Sequence, residues 1–134
     1  MTELIAADPG NRQSRPNLSV LVVDDDVDIR STLEEVLRGE GYSVATAGDG
    51  VAALDVIRTS PPRLILLDLN MPVMGGTEFR LVQMEDLDLA AIPTVVMTAR
   101  PDPGMQVAGL SVRGCLAKPI HLDDLLRIVA HYCG

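Results

Sequence analysis

The sequence is poor in aromatic residues and in positive charge. Only 2% of its 134 residues are aromatic although 47% are hydrophobic, so its core must be built from aliphatic side chains. Its 19 acidic residues outnumber its 11 basic ones, which gives a net charge of −8. Such a surface repels nucleic acid and anionic membranes, so we expect neither as a direct partner.

Cysteine is also scarce, since the chain has only Cys115 and Cys133. Without a Cys-x-x-Cys motif or a Cys/His cluster, the two predict neither a disulfide scaffold nor a zinc site. Free thiols are typical of a reducing cytoplasm, which is the location we expect. No apolar run approaches the length of a membrane span, and the N-terminus lacks the pattern of a signal peptide.

Composition divides the chain into a tail and one domain. Residues 1–16 are polar and rich in helix-breaking residues, which predicts a flexible N-terminal tail. Residues 17–134 have the length of one ordinary domain with a single core. We find no internal repeat with a fixed period.

From residue 18 onward, the sequence repeats a pattern of strand, turn and helix. Five apolar segments predict strands, at residues 18–23, 42–46, 64–67, 93–98 and 114–117. Helical spacing predicts helices between them and a final helix with Leu122, Leu125, Leu126, Val129 and Tyr132 on one face. This alternation predicts an α/β fold: a single, doubly wound (βα)5 domain with a parallel sheet and helices on both faces.

The residues that end the predicted strands would meet at one edge of the sheet. They are Asp24 and Asp25 after the first strand, Asp68 after the third, Thr98 on the fourth and Lys118 after the fifth. Clustered carboxylates need a compensating cation, and hard oxygen ligands suit Mg²⁺. Metal, lysine and hydroxyl together would bind a phosphoryl group, and the carboxylate nucleophile would form an acyl phosphate.

Each of these residues also has an ordinary structural explanation. Asp68 could begin a turn, Thr98 could be structural, and Lys118 could be a solvated surface lysine. The acidic run 24–26 could cap the first helix, which we accept for Asp26 because one cap suffices. Coincidence is the weaker explanation, because four of the five strand ends carry parts of one site.

Four motifs resemble those of response-regulator receiver domains. They are Val22-Val-Asp-Asp25, Leu67-Asp-Leu-Asn-Met-Pro72, Thr98-Ala99 and Lys118-Pro119. The resemblance covers about residues 17–134 and extends to chemotaxis-regulator-like, single-domain receivers. It implies a flavodoxin-like sheet of order 2-1-3-4-5. It also implies that Asp68 accepts a phosphoryl group from a phosphohistidine on a sensor histidine kinase or phosphotransfer protein.

The resemblance further implies a set of metal ligands. Asp25 would bind Mg²⁺ directly, Asp24 largely through water, and Asn70 through its backbone carbonyl, with Asp68 completing the site. Asn70 also flanks the acceptor where receivers tune phosphoryl lifetime, as does Arg100. These two argue in opposite directions, since Asn70 can position a hydrolytic water whereas Arg100 can shield or pair with the phosphoryl group.

The resemblance also implies a switch. Lys118 would pair with a phosphoryl oxygen, Thr98 would turn toward the phosphoryl group, and the Lys118–Pro119 peptide bond would be cis. The second switch position, usually aromatic, is Cys115 here, so the usual coupled ring movement is in doubt. The simpler interpretation is that no ring is needed at this position, because many receivers manage without one.

The stretch from Thr98 to Lys118 is shorter than is usual in receivers. It contains Pro101 and Pro103, and Ser111 stands where a helix-ending glycine is usual. We therefore predict a short or irregular fourth helix. In receivers this helix, the fifth strand and the fifth helix form the face that binds partners or another copy. We expect a face remodelled toward a particular partner, with a homodimer as one alternative.

Three functions are compatible with these residues. The leading one is a phosphorelay receiver that is not an enzyme beyond its own phosphorylation and dephosphorylation, and that signals through an unknown downstream protein. The alternative is a pseudo-receiver, which acts as a phosphorylation-independent interaction or scaffold module. A haloacid-dehalogenase-type phosphohydrolase is the third, but the first motif lacks that family's threonine.

Overall fold

A computed structural model describes residues 18–100 and 104–134, so the predicted tail lies outside the described residues. Five strands form one sheet with parallel pairings and the order β2-β1-β3-β4-β5. The strands are β1 (Val20–Val23), β2 (Val44–Ala47), β3 (Leu64–Asp68), β4 (Thr94–Thr98) and β5 (Gly114–Ala117). The predicted fold class and strand order are confirmed.

Six helices lie in the described part of the chain. They are α1 (Val27–Gly39), α2 (Gly50–Thr59), α3 (Gly76–Met84), α4 (Leu87–Ala90), α5 (Gly104–Val107) and α6 (Leu122–Cys133). The single turn α4 was not predicted, although Asp86 caps it by accepting hydrogen bonds from the amides of Asp88 and Leu89. The predicted fourth helix corresponds to α5, and its four residues confirm that it is short. No helix of the described residues is long and apolar enough to cross a bilayer.

The sheet separates two aliphatic cores. Alternate side chains of each central strand point to opposite faces, and β1, β3 and β4 are buried on both. One core contains Leu21, Leu67, Val96, Ile57 and Phe79, so it lies between the sheet and helices α2 and α3. The other contains Val22, Leu66, Leu33, Leu37, Leu125 and Val129, so it lies against α1 and α6. Leu122, which was predicted to share a helix face with Leu125 and Val129, is the first residue of α6 and is 49% exposed.

The short helix α5 precedes β5 in the chain, and one face of β5 is exposed. Cys115 is in register with Val96, which belongs to the core beneath α2 and α3, yet Cys115 itself is exposed. Ala117 is exposed as well, whereas Leu116 on the opposite face is buried. Within the described part of the chain, β5, which ends just before Lys118, therefore has one buried face and one exposed face.

Arg80 of α3 is an unexpected polar residue in the core, with 3% of its surface exposed. Its Nε donates to the carbonyl of Leu110 at 2.8 Å, and its Nη2 donates to the carbonyl of Ser111 at 3.3 Å. Its Nη1 donates to Oγ1 of Thr94 on β4 at 3.3 Å. Arg80 thus fastens the loop between α5 and β5 to α3 and β4.

We predict that Arg80→Met lowers the free energy of unfolding by about 1–3 kcal/mol, because the carbonyl of the buried Leu110 and that of Ser111 lose a charged donor. Urea unfolding followed by far-UV circular dichroism would measure the change. The matched control is Arg127→Met, which removes an exposed ion pair to Asp124 of 3.1 Å. That change is expected to cost less than about 1 kcal/mol. Equal losses in the two variants would show that Arg80 has no special structural role.

Candidate functional site

Three carboxylates converge at the carboxyl edge of the sheet. Val23 of β1 is in register with Leu67 of β3, so the next residues, Asp24 and Asp68, lie side by side. Oxygen atoms of Asp24, Asp25 and Asp68 all lie within 4.8 Å of one another. The structure thus brings together the acidic residues that sequence placed at separate strand ends.

Lys118 brings a positive charge into this acidic cluster. Its Nζ lies 2.8 Å from Oδ2 of Asp24 and 3.6 Å from Oδ2 of Asp68. Burial by itself would lower the pKa of Lys118, but hydrogen bonding and attraction to Asp24 and Asp68 outweigh burial and raise it. The ammonium is therefore charged at neutral pH and bridges the two buried carboxylates.

Asp24 is fully buried, and it is held by three hydrogen bonds and one ion pair, the ion pair being the contact of its Oδ2. Its amide donates to the carbonyl of Ala47 at 3.1 Å, and its Oδ1 accepts from the amide of Asp26 at 2.9 Å. Its Oδ2 faces Lys118, and its carbonyl accepts from Nη1 of Arg30 at 2.7 Å. Asp24 is consequently fixed in one orientation, whereas the neighbouring Asp25 is exposed.

Asp68 is nearly buried, with 6% of its surface exposed. Burial, followed by repulsion from Asp24 and Asp25, raises its pKa, and these effects outweigh Lys118 and a hydrogen bond from the amide of Asn70. Three carboxylates beside one ammonium leave an excess of negative charge. A divalent cation with a preference for oxygen ligands, such as Mg²⁺, fits this donor set.

Glycine allows α3 to begin directly against this edge. The amide of Gly76 donates to the carbonyl of Leu69 at 3.0 Å. A Cβ at Gly76 would lie 2.7 Å from the Cα of Leu69, which is closer than real Cβ atoms approach. The loop that follows Asp68 can therefore close tightly, although Val73 within it has a φ of 68°, a region that β-branched residues rarely adopt.

Thr98 and the Lys118–Pro119 bond complete the same edge. The buried carbonyl end of β4 is tied to the next strand, since the amide of Lys118 donates to the carbonyl of Thr98 at 2.8 Å. The Thr98 hydroxyl accepts from the amide of Arg100 at 3.0 Å. The Lys118–Pro119 peptide bond is cis. Thr98 thus lies beside the site with its hydroxyl engaged by its own loop.

The structure does not bring every predicted site residue into the cluster. Cys115 lies within β5, three residues before Lys118, and its side chain is exposed on the strand. Partial burial of Cys115 raises the pKa of its thiol, which argues against a reactive thiolate. Asn70 and Arg100 are exposed, and Arg100 is the last residue before the undescribed segment 101–103.

Two features of the site were not predicted. Arg30 contacts the site through the backbone of Asp24, and sequence reasoning missed it because a single arginine on a helix carries no motif. The second feature is a largely apolar groove of about 250 Å³ beside Lys118. It lies between α1 and the start of α6 and is lined by Asp28, Ile29, Thr32, Leu33, Lys118, Pro119, Ile120 and Leu122. The groove can be recognised only in the folded structure, because its two walls are far apart in sequence.

The family model of the response regulator receiver domain matches residues 20–130. The chain belongs to this family. Receivers are modules of two-component signalling that are phosphorylated, bind Mg²⁺ at an acidic site and interact with histidine kinases.

Relatives and solved structures agree with this assignment. The DNA-binding response regulator MtrA of Mycolicibacterium paratuberculosis is 43% identical over 91 residues, which is 68% of this chain and 39% of MtrA. Response regulator MprA of Mycobacterium avium is 41% identical over 112 residues, which is 81% of this chain and 48% of MprA. The receiver therefore spans less than half the length of these relatives.

Among solved structures, the chemotaxis response regulator CheY4 of Vibrio cholerae has a TM-score of 0.79 and 31% sequence identity to this receiver. The match covers 87% of this chain and 99% of CheY4. The resemblance to receivers and the predicted strand order are thus confirmed by both sequence and fold.

We predict that Asp68→Asn stabilises the Mg²⁺-free receiver at neutral pH. A carboxyl group with a raised pKa favours the folded state below its ordinary value of 3.8, and that contribution is lost as the pH rises through the folded-state pKa. The charged form therefore destabilises the fold at neutral pH, and the asparagine removes this effect. The raised pKa of Lys118 does not interfere, because Lys118 remains charged throughout this range and keeps its contact with Asp24.

Urea unfolding in the presence of a chelator would test this, with far-UV circular dichroism as the signal. The advantage of Asp68→Asn should shrink as the pH falls toward 3.8. Asp55→Asn is the control, because Asp55 is an exposed residue of α2 and should show no such pH-dependent gain. Wild-type protein that equals or exceeds the variant at neutral pH would contradict the prediction.

Proposed function

We propose that this receiver accepts a phosphoryl group on Asp68, from a phosphohistidine of a sensor kinase or phosphotransfer protein, with Mg²⁺ held by Asp24, Asp25 and Asp68 and by the Asn70 carbonyl. The observation that carries the proposal is the cluster of three carboxylates within 4.8 Å with Lys118 between two of them. We therefore propose Mg²⁺ as the cofactor of the receiver. We propose the cytoplasm as its location, because sensor kinases and phosphotransfer proteins donate phosphoryl groups there.

The chemistry requires a nucleophile and a way to neutralise charge. An oxygen of Asp68 attacks the phosphorus, the phosphorus–nitrogen bond breaks, and its electron pair stays on the departing imidazole, which takes a proton from solvent. The product is an acyl phosphate on Asp68. Bound Mg²⁺ would neutralise and orient phosphoryl oxygens.

Lys118 and Thr98 act next to the reacting carboxylate. The ammonium of Lys118 is held 2.8 Å from Asp24, so it is already placed to pair with a phosphoryl oxygen on the neighbouring Asp68. The hydroxyl of Thr98 accepts from the amide of Arg100, and rotation toward the phosphoryl group would release that amide. Such a release would couple phosphorylation to the loop after β4.

The effect of phosphorylation would then reach a partner through the surface of β5. Its face with Cys115 and Ala117 is exposed, and α5 beside it has only four residues. A cysteine cannot move a ring into the space that Thr98 vacates, so we infer that the loop carries the change to this face. A downstream protein would bind here, and a second copy of the receiver is the alternative occupant.

The groove beside Lys118 is our candidate docking surface for the phosphodonor. It combines an apolar lining with a position next to the site, and Leu122 and Val27 nearby on α6 and α1 are 49% and 60% exposed. A donor protein that inserts apolar side chains here would bring its phosphohistidine to Asp68. Arg100 and Asn70 lie outside this groove, and we propose for them an influence on phosphoryl lifetime.

We predict that acetyl phosphate or phosphoramidate with Mg²⁺ adds one phosphoryl group, which intact-mass spectrometry would detect. The adduct should be absent in Asp68→Asn and present in Asp55→Asn, because Asp55 is an exposed acid on α2. Omission of Mg²⁺ should also prevent the adduct, because the excess negative charge of the three carboxylates would then repel the donor. No adduct on wild-type protein that also fails to bind Mg²⁺ would overturn the proposal.

The same measurement separates this function from that of a pseudo-receiver. The exposed face of β5 with Cys115 favours a pure interaction module, since such a face can bind a partner without any switch. A pseudo-receiver would give no adduct and would bind its partner equally as wild-type and Asp68→Asn protein. A phosphohydrolase would instead turn over small phosphate esters, and we expect no turnover.

We predict that Leu122→Asp slows transfer from a protein donor about tenfold but leaves the rate with acetyl phosphate unchanged, because only the protein needs the groove. An acid at the first position of a helix favours its dipole, so folding should be preserved. The donor would be a phosphorylated histidine kinase that transfers to the wild-type receiver.

Leu87→Asp is the matched control for the groove. Leu87 is also the first residue of a helix, is 88% exposed and lies outside the groove. Transfer from the protein donor should be normal in this variant. If both leucine variants slow transfer equally, or if Leu122→Asp also slows the acetyl phosphate reaction, the groove is not the docking surface.

A further inference from the structure

We propose that Arg30 is a positioning residue for the metal site, because its guanidinium holds the Asp24–Asp25 peptide in the orientation that aims both carboxylates at Asp68. The inference rests on the proposed function, since it concerns the Mg²⁺ site formed by these acids. Arg30 itself lies on α1 and acts on the backbone of Asp24 rather than on its carboxylate.

The central observation is the hydrogen bond from Nη1 of Arg30 to the carbonyl of Asp24, at 2.7 Å. A charged donor at this distance forms one of the stronger hydrogen bonds in proteins. The carbonyl belongs to the peptide unit that joins Asp24 to Asp25. Its orientation sets the plane of that unit, and so the direction in which the side chain of each residue leaves the backbone.

Arg30 differs from the other partners of Asp24 in what it can control. The amide of Asp26 and the ammonium of Lys118 hold the Asp24 carboxylate, and the carbonyl of Ala47 holds its amide. Among the described residues, Arg30 is the partner given for the carbonyl side, toward Asp25. The Asp25 side chain is exposed, so its direction depends on the backbone that carries it.

The second observation is that a glycine leaves room for the guanidinium of Arg30. Gly48 follows β2 at the same edge of the sheet, and a Cβ there would lie 3.1 Å from Nη1 of Arg30 and 3.6 Å from its Cζ. That approach is tighter than ordinary van der Waals contact. An alanine at this position would require the guanidinium to shift by a few tenths of an ångström beside the Asp24 carbonyl, while leaving Arg30 and its charge in the protein.

The chain supplies a matched control on the same helix. Arg38 near the end of α1 also donates to a backbone carbonyl, from Nη2 to Val44 at 2.6 Å. Val44 begins β2, so this contact lies at the amino edge of the sheet, opposite the carboxylates. Arg38→Met therefore removes the same charge and the same kind of hydrogen bond without touching the metal site.

The test is Mg²⁺ binding by isothermal titration calorimetry, with unfolding in urea and the acetyl phosphate rate recorded beside it. We expect Arg30→Met to weaken Mg²⁺ binding about tenfold, the lower end of the effect of residues that orient metal ligands. Gly48→Ala should weaken binding in the same direction. Arg30→Lys should recover part of the loss, and Arg38→Met should bind Mg²⁺ as the wild type does.

The results distinguish this inference from the proposed function. Wild-type protein that does not bind Mg²⁺ would overturn the proposed function. Wild-type protein that binds, together with an unchanged or tighter Mg²⁺ affinity in folded Arg30→Met, would overturn only the role of Arg30. An equal loss in Arg38→Met would do the same. If Arg30→Met fails to fold, Gly48→Ala and Arg30→Lys decide the question, because wild-type Mg²⁺ affinity in both variants would contradict the inference.

Discussion

The ion pair of Lys118 with Asp24 is the contact on which the site depends. Asp24 is fully buried, and a buried carboxylate is tolerable only when its charge is compensated. Lys118 supplies that compensation from the end of a different strand, at 2.8 Å, although β3 and β4 lie between β1 and β5 in the sheet. The parallel sheet therefore does more than bury aliphatic side chains. It delivers opposite charges to one place.

The negative charge of the site is only partly compensated, because no equal number of cations balances Asp68 and Asp25. The pKa of Asp68 is raised chiefly by burial and then by its acidic neighbours, so the metal-free site stores unfavourable electrostatic energy. A bound divalent cation would relieve it. The same excess negative charge that destabilises the metal-free protein would thus favour the binding of a cation.

Sequence predicted the central parts of this structure because they follow from periodicity and strand ends. Continuous apolar runs gave the strands, and the acids at 24, 25 and 68 had to meet once the sheet was parallel. Side-chain contacts with backbone carbonyls were not predictable, because Arg30 and Arg80 stand in helices with no local signal of their partners. The turn at α4 was missed for a related reason: a single capped turn has too few residues to show helical periodicity.

Two arginine-to-carbonyl contacts hold the backbone at different places in the molecule. At the site, Arg30 donates to the carbonyl that joins the acidic pair, so under the proposed function phosphoryl chemistry would begin from a fixed backbone. At the other end, Arg80 fastens the segment between α5 and β5 to α3 and Thr94, so that segment is anchored at its far side. Under the proposed function, a movement that begins at Thr98 would then act on the exposed face of β5 rather than on this anchored segment. It would alter one surface while the aliphatic cores stay unchanged.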